Sequence, residues 1–336
     1  MTTNTQSFLT KHATSHLMDY QIQKINRQIQ DFIHVNQEID HYHFDVCPKC
    51  GKKHPRLIKA GLANSGKQML KCKDCGKRFV IDRGQLTFYS HQPADKWNEL
   101  IIDTLEGNSL QHTAASIDVH EMTVFRMRHK FLKFLEDEES PYVLSEQIEI
   151  DEKYVQKSHK GVSIPSTKPR KRGEAASKRG ISNEKVCIIT AVQRLGKAVA
   201  RTFNMAKPTS EDCLKFGQHI EENSYAWTDG LESYTRMLQE KQCKRTILKS
   251  YKEYDTVNHL NNVNSFHNEI EKQYEIYRGV ASKYINRYNA LFCIQREVQG
   301  MDAQEILVYV LKKLKYSIHY FFIRQIATDA LFEVSF

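Results

Sequence analysis

Two short segments each place an aspartate at or just after the end of an apolar run that is typical of a strand. They are Ile148-Glu149-Ile150-Asp151-Glu152 and Ala226-Trp227-Thr228-Asp229-Gly230. A third segment, which has a helical pattern, carries Asn264 35 residues after Asp229. Two carboxylates on strands and an oxygen ligand from a later helix are what a two-metal phosphoryl-transfer site needs. Two Mg²⁺ ions, or Mn²⁺ in their place, suit such ligands because they prefer hard oxygen donors.

The roles within this predicted site differ from residue to residue. Asp151 is the candidate bridge between the two ions, and Asp229 would hold one of them. The third ligand stays open on the residues alone, because the Asn264 amide coordinates without carrying charge. Glu269 or Glu271 could supply a carboxylate instead, and Glu271 lies two helical turns after Asn264 on the same helix face. An aspartate before a glycine, as in Asp229-Gly230, is also common in turns.

Four cysteines form two C-x2-C pairs with 21 residues between them: Cys47, Cys50, Cys72 and Cys75. In a reducing compartment such pairs indicate a metal site rather than disulfides. Four thiolates make a closed, tetrahedral Zn²⁺ site with no position left for chemistry. The segment from Leu57 to Leu70 is expected to form the hairpin of a zinc ribbon.

Residues 92–136 have the pattern of a helix-turn-helix unit, with a third helix from Met122 to Leu135. That helix carries basic residues which suit the major groove of DNA, namely Arg126, Arg128 and Lys130. Three helices that pack together without contacting DNA are the alternative interpretation.

From residue 142 the order of elements is three strands, helix, strand, helix, strand and then helix. This order predicts an α/β fold with a ribonuclease H-like core, a mixed sheet flanked by helices. The predicted domains are an N-terminal helical segment (1–43), the zinc ribbon (44–82), a helix-turn-helix DNA-binding domain (88–140), the ribonuclease H-like core (141–300) and a C-terminal helical tail (301–336).

A long basic insertion at 157–185 separates the first two strands of this core. It is expected to contact nucleic acid through Arg170, Lys171, Arg172, Lys178 and Arg179. The net charge of +9 and the pI near 9.0 also favour an anionic partner. No run of 18 apolar residues and no signal-peptide pattern are present, so we expect no membrane span and a cytoplasmic protein.

Several of these motifs together resemble one family. They are Cys47-Pro-Lys-Cys50, Cys72-Lys-Asp-Cys75, Ile148 to Tyr154, Trp227 to Tyr234, Val263-Asn-Ser-Phe-His267 and Arg278 to Tyr284. The chain resembles, over roughly residues 44–295, the bacterial insertion-sequence transposases that carry a zinc ribbon ahead of a DDE-type core, the IS1595 (ISXO2-like) family.

The resemblance implies specific site residues. Asp151, Asp229 and Asn264 would form the catalytic set that holds the divalent ions, because the family has Asp, Asp, then Asn or Glu, then Lys. The family's lysine falls on Glu271 here, and Lys272 follows it. Glu271 would then add a carboxylate to the catalytic set, and Lys272 would contact DNA.

The sequence therefore predicts a metal-dependent DNA transposase that binds terminal inverted repeats and target double-stranded DNA. Because transposition pairs two ends, a homodimer or a higher assembly on DNA is expected. A sequence-specific DNA-binding regulator with an inactive core is the main alternative. A ribonuclease H-like nuclease that cleaves without joining is a second, and a zinc-ribbon module for protein interaction is a third.

Overall fold

The computed structural model describes residues 46–83, 85–88, 90–160, 180–182, 184–277 and 280–314, with Met18, Gln21, Ile22, Ile25 and Phe44. Three predictions fall on other residues: the N-terminal helical segment, the end of the C-terminal tail and the basic side chains of the insertion. Those side chains are Arg170, Lys171, Arg172, Lys178 and Arg179. The chain divides into two compact units, residues 1–102 with 300–322 and residues 103–299 with 323–336.

The described strands, in chain order, are β1 Leu57–Leu62, β2 Gln68–Cys72, β3 Arg78–Val80, β4 Gln147–Gln156, β5 Lys185–Gln193, β6 Ala198–Arg201, β7 Tyr225–Thr228 and β8 Lys244–Ile247. The described helices are α1 Ala94–Leu105, α2 Leu110–Ser116, α3 Glu121–Glu139, α4 Ser210–Phe216, α5 Tyr234–Glu240, α6 Asn261–Ile276, α7 Ile285–Glu297 and α8 Ala303–Leu314. None of these helices is long and apolar enough to cross a membrane.

In the first unit, β1, β2 and β3 form a small antiparallel sheet. The predicted hairpin is present, since Leu57 pairs with Cys72 and Lys59 pairs with Leu70. Five side chains are buried together in its core: Phe44, Cys47, Leu70, Cys72 and Phe79. So small a core buries little apolar surface, which is why such a sheet ordinarily needs a metal to hold it together.

The second unit is built around a five-stranded mixed sheet in the order β6-β5-β4-β7-β8. β6, β5 and β4 are antiparallel neighbours, whereas β4, β7 and β8 run parallel. β5 is buried from Val186 to Val192, as the unbroken apolar run in its sequence requires for a strand covered on both faces. This mixed α/β sheet with flanking helices fits the predicted ribonuclease H-like core.

The two helices before the sheet also form as the sequence predicts, with Ser109 capping α2 through its side chain. α3 continues to Glu139, four residues past the predicted end at Leu135. The reason is electrostatic, because Glu139 pairs with the Arg201 guanidinium of β6 at 3.2 Å and is fully buried. The compact unit accordingly groups α3 with the sheet, whereas the sequence-based division places a boundary after residue 140.

The buried face of α3 corrects one prediction about DNA contacts. Arg128 and Lys130 are only 2% and 4% exposed, so neither belongs to a surface that DNA could reach in this structure. The Arg128 guanidinium donates to the Thr113 hydroxyl at 3.1 Å, inside the packing of α2 on α3. The long apolar stems of both cations make such burial possible, and the sequence pattern alone did not separate them from Arg126. Arg126 is exposed, and its contact with DNA stays a prediction.

Candidate active site

The sheet brings Asp151 and Asp229 together. β4 and β7 are parallel neighbours, and Ile150 lies opposite Thr228 at the last pair of their ladder. The next residue on each strand is therefore one of the two aspartates. Carboxylate oxygens of Asp151, Glu152 and Asp229 all lie within 4.8 Å of one another.

Glu152 joins this group although the sequence analysis did not select it. Neighbouring residues of a strand point to opposite faces, which argues against two adjacent ligands on β4. Pairing of β4 with β7 stops at Ile150, however, so both faces of β4 border the space beyond the end of β7. The longer Glu152 side chain can then reach Asp229. The consecutive acids Asp151-Glu152 were the one signal in the sequence that could have indicated this.

Two of the three carboxylates resist ionisation. Burial, with a smaller contribution from the charge of Asp229, raises the pKa of Asp151 to about 6. Burial is also the main reason why the pKa of Glu152 rises to about 8, with Asp229 and Asp151 adding to the effect. A half-buried cluster of like charges is stabilised by a bound cation, so the donor set and its electrostatics fit a hard divalent ion.

Asp229 is held in place by Arg245 of β8. The Arg245 guanidinium donates to the backbone oxygens of Asp229 at 3.2 Å and Leu231 at 2.8 Å, and to the Thr228 hydroxyl at 2.8 Å. One carboxylate oxygen of Asp229 accepts the Leu231 N–H at 2.9 Å. Asp229 therefore lies in a fixed turn directly after β7. It can be both a turn residue and a metal ligand, the two interpretations that the sequence left open.

Helix α6 borders Asp151 through His267. Thr190 lies opposite Asp151 in the β4–β5 ladder, and its hydroxyl donates to the Asp151 backbone oxygen at 2.7 Å. His267 Nε2 is 2.6 Å from the same hydroxyl, and His267 Nδ1 is 3.9 Å from Asp151 Oδ2. Burial and the charge of Lys153 lower the pKa of His267 to about 4, so the imidazole is neutral at pH 7. Sequence analysis did not select His267 as a site residue.

Asn264 lies one helical turn before His267 and is exposed. Burial and the charges of Asp151 and Glu149 raise the pKa of the nearby Tyr254 hydroxyl, and the Asn264 side chain acts in the opposite direction. Asn264 and Asp151 therefore both act on Tyr254. The role of Asn264 as a metal ligand stays a prediction.

Glu271 has a different partner from the one predicted. Its carboxylate accepts from Lys153 Nζ at 2.7 Å, and its side chain is 60% exposed. That hydrogen bond and the charge of Lys153 lower the pKa of Glu271. It lies outside the group formed by Asp151, Glu152 and Asp229. Glu269 instead pairs with Arg296 at 2.5 Å, and Lys272 is exposed as a DNA contact would require.

A buried carboxylate fixes the start of α6. Glu149 accepts from the backbone N–H groups of Asn262 and Val263 at 2.8 and 3.0 Å, and from the Asn262 side chain at 2.8 Å. It also pairs with Arg194 Nε at 2.8 Å. A negative charge at a helix N-terminus satisfies unpaired N–H groups and complements the helix dipole. Glu149, two residues before Asp151, therefore sets where α6 passes the site.

The four paired cysteines form the second candidate metal centre. Their sulfur atoms all lie within 4.8 Å of one another, and none is in a disulfide. Each pair sits in a tight turn that is closed by a glycine N–H, from Gly51 to Cys47 O and from Gly76 to Cys72 O, both at 2.9 Å. Both glycines have positive φ, 75° and 70°, which the turn requires. This donor set fits a closed tetrahedral zinc site.

Residues 143–293 match the model of the ISXO2-like transposase domain of the IS1595 family. The segment 143–293 is an ISXO2-like transposase domain. The resemblance seen in the sequence motifs is thereby confirmed. The match covers β4 to most of α7, and it includes Asp151, Glu152, Asp229 and His267.

Two solved structures show weaker similarity to this chain. A pre-cleavage Mos1 transpososome has a TM-score of 0.27 at 9% identity, over 66% of this chain and 75% of that one. The Mos1 strand transfer complex has a TM-score of 0.25 at 11% identity, over 67% and 76%. Similarity at this level adds nothing to the assignment. No curated protein matches the chain.

Proposed function

We propose that the chain is an insertion-sequence DNA transposase that binds terminal inverted repeats, cleaves DNA strands and joins the ends to target DNA. The observation that carries the proposal is the convergence of Asp151 and Asp229 directly after the last pair of the parallel β4–β7 ladder, within a segment that matches a transposase domain. A cleavage centre needs oxygen ligands at one fixed point, and the ladder between β4 and β7 supplies that point.

Asp151, Asp229 and Asn264 are the residues that would hold Mg²⁺ or Mn²⁺, and Glu152 adds a third carboxylate to the set. Bound divalent ions supply an activated nucleophile and stabilise the leaving oxygen in phosphoryl transfer. Arg245 keeps the Asp229 carboxylate facing the group through its bonds to the backbone of that turn. Glu271 is proposed to act indirectly, since its ion pair holds the Lys153 ammonium two residues along β4 from Asp151.

The partner of this centre is proposed to be double-stranded DNA. Arg126 on α3 and Lys272 on α6 are both exposed and basic, so they are the candidates for phosphate contacts among the described residues. The paired cysteines would hold one structural Zn²⁺. Because cleavage and joining act on two ends of an element, a homodimer or higher assembly on DNA follows from the mechanism.

The main alternative is a DNA-binding regulator with an inactive core. It leaves unexplained why three half-buried carboxylates are grouped together, an arrangement that costs stability unless a cation is bound. We therefore favour the enzyme. A strand-transfer assay with terminal-repeat duplexes, target DNA and Mg²⁺ or Mn²⁺ separates the two.

In that assay the wild-type chain should nick the repeat ends and join them to target DNA only when a divalent ion is present. Asp229→Asn should lower both rates at least about a thousandfold, because metal-based charge stabilisation contributes several kcal/mol. Glu222→Gln, which removes an exposed carboxylate elsewhere in the same unit, is the matched control and should stay within about twofold. Repeat-specific binding without nicking would support the regulator, and nicking without joining would support a nuclease.

A further inference from the structure

The protonation state of His267 is determined by its neighbours. The Thr190 hydroxyl has one hydrogen, and that hydrogen is donated to the Asp151 backbone oxygen at 2.7 Å, because a carbonyl oxygen can only accept. The contact of 2.6 Å between the Thr190 oxygen and His267 Nε2 then requires a hydrogen on Nε2. In the neutral ring, Nδ1 consequently carries a lone pair.

That lone pair lies beside the candidate active site. His267 Nδ1 is 3.9 Å from Asp151 Oδ2, and the side chains are 10% and 22% exposed. Two acceptors at this distance do not bond to each other. Octahedral ligands at about 2.1 Å stand about 3 Å apart when adjacent, so a side-chain shift of about 1 Å would let one divalent ion be held by both residues.

The contacts of His267 are those of a metal-ligating histidine rather than of a histidine that only fills space in the core. Ligating histidines ordinarily donate their other ring N–H to a fixed acceptor, which sets the tautomer and the ring orientation. Here Thr190 is that acceptor, it is fully buried, and it is tied to the backbone of the ligand Asp151. The α6 backbone that carries His267 is fixed at its start by the buried Glu149 carboxylate.

We propose that His267 Nδ1 is a direct ligand of the divalent ion on the α6 side of Asp151. Asn264 stands one helical turn earlier on the same helix, where an i,i+3 spacing places both side chains on one face. The inference rests on the proposed function, because it assumes that Asp151 holds a divalent ion. Asp229 and Glu152, which group with Asp151, would then serve the other ion, and the two ion positions would differ in chemistry.

A nitrogen ligand has a consequence for the choice of metal. Mg²⁺ is strongly selective for oxygen donors, whereas imidazole binds first-row transition ions well. The two positions should therefore differ in preference, with the position that includes His267 favouring Mn²⁺ or Co²⁺ over Mg²⁺ more than the all-oxygen position does.

The test uses Mn²⁺ as the probe on the full, zinc-loaded chain without DNA. Pulsed electron paramagnetic resonance detects nitrogen bound to Mn²⁺ directly and does not depend on activity. Wild type should show a nitrogen coupling that is lost in His267→Gln, together with about a tenfold weaker Mn²⁺ Kd and a smaller change for Mg²⁺. Thr190→Val, which removes the acceptor for Nε2–H, should reduce the coupling or weaken Mn²⁺ binding. His91→Gln, an exposed histidine in the other unit, is the matched control and should match wild type.

The outcomes separate this inference from the proposed function. Mn²⁺ that binds wild type and is lost in Asp151→Asn, but shows no nitrogen coupling, would overturn the role of His267 and leave the transposase proposal standing. A coupling that persists in His267→Gln would assign the nitrogen to another residue and also overturn it. Failure of wild type to bind Mn²⁺ at all would count against both. The melting temperature of each zinc-loaded variant without Mn²⁺ shows whether a loss reflects unfolding instead of ligation.

Discussion

The buried carboxylate of Glu149 offers a sharp test of how the site is positioned. Glu149→Ala removes the acceptor for two N–H groups in the first turn of α6 and the partner of Arg194. The Arg194 guanidinium, which also lies 3.7 Å from the centre of the Trp227 ring, would keep its charge in a largely buried place. We expect the second unit to lose stability and the start of α6 to loosen.

The expected magnitude follows from these contacts. Two unsatisfied helix N–H groups cost about 1 kcal/mol each, and breaking a buried ion pair by removing one partner costs about 3–5 kcal/mol. Because both contributions come from one side chain, they are not fully additive, and we expect the free energy of unfolding to fall by about 4 kcal/mol in total. Glu149→Gln should lower the free energy of unfolding nearly as much. The N–H₂ group of the glutamine amide can only donate, and it would face another donor, either Arg194 or the α6 backbone.

Hydrogen exchange of peptides from β4 and β7 measures this unit without interference from the zinc ribbon. A loss of about 4 kcal/mol should speed the slowest exchange by roughly a thousandfold, because 1.4 kcal/mol is a factor of ten. Glu211→Ala, an exposed glutamate in the first turn of α4, should change it by less than about threefold. If Glu149→Ala exchanged no faster than this control, the capping role of Glu149 would be refuted.

Other predictions concern zinc, acid and DNA. Chelation of the metal, or Cys72→Ser, should release zinc and abolish the β-sheet signal of the first unit, measured by metal analysis and hydrogen exchange. Burial lowers the pKa of His219 to about 4 in the folded state, against ~6.5 in the unfolded state. Below about pH 6.5 the unfolded state therefore binds the proton more tightly, and the free energy of unfolding should fall as the pH falls. At pH 5 this histidine's share of the loss should be about 2 kcal/mol, measured by urea unfolding as the difference between wild type and His219→Gln. Arg126→Ala should weaken DNA binding and reduce its salt slope by about one, whereas Arg128→Met should mainly lower the melting temperature.

Some features follow from local sequence because their chemistry is set by spacing along the chain. The cysteine pairs predict the metal knuckles, since two residues between thiols allow one tight turn to present both sulfurs. The apolar runs before Asp151 and Asp229 predict the strands, and the helical pattern after them predicts α6. These signals also indicated the family whose domain model matches residues 143–293, because its motifs are themselves short segments.

Tertiary structure alone decided which side chains meet across long separations. Glu149 caps a helix that begins more than a hundred residues later, and His267 reaches Asp151 through Thr190 of a third element. Glu152 became part of the acidic group because β7 ends one residue before Asp229. Burial of Arg128 on α3 likewise depends on which helix face the core covers. A residue's type predicts what it can bind, but its partner depends on how the faces of separate elements pack.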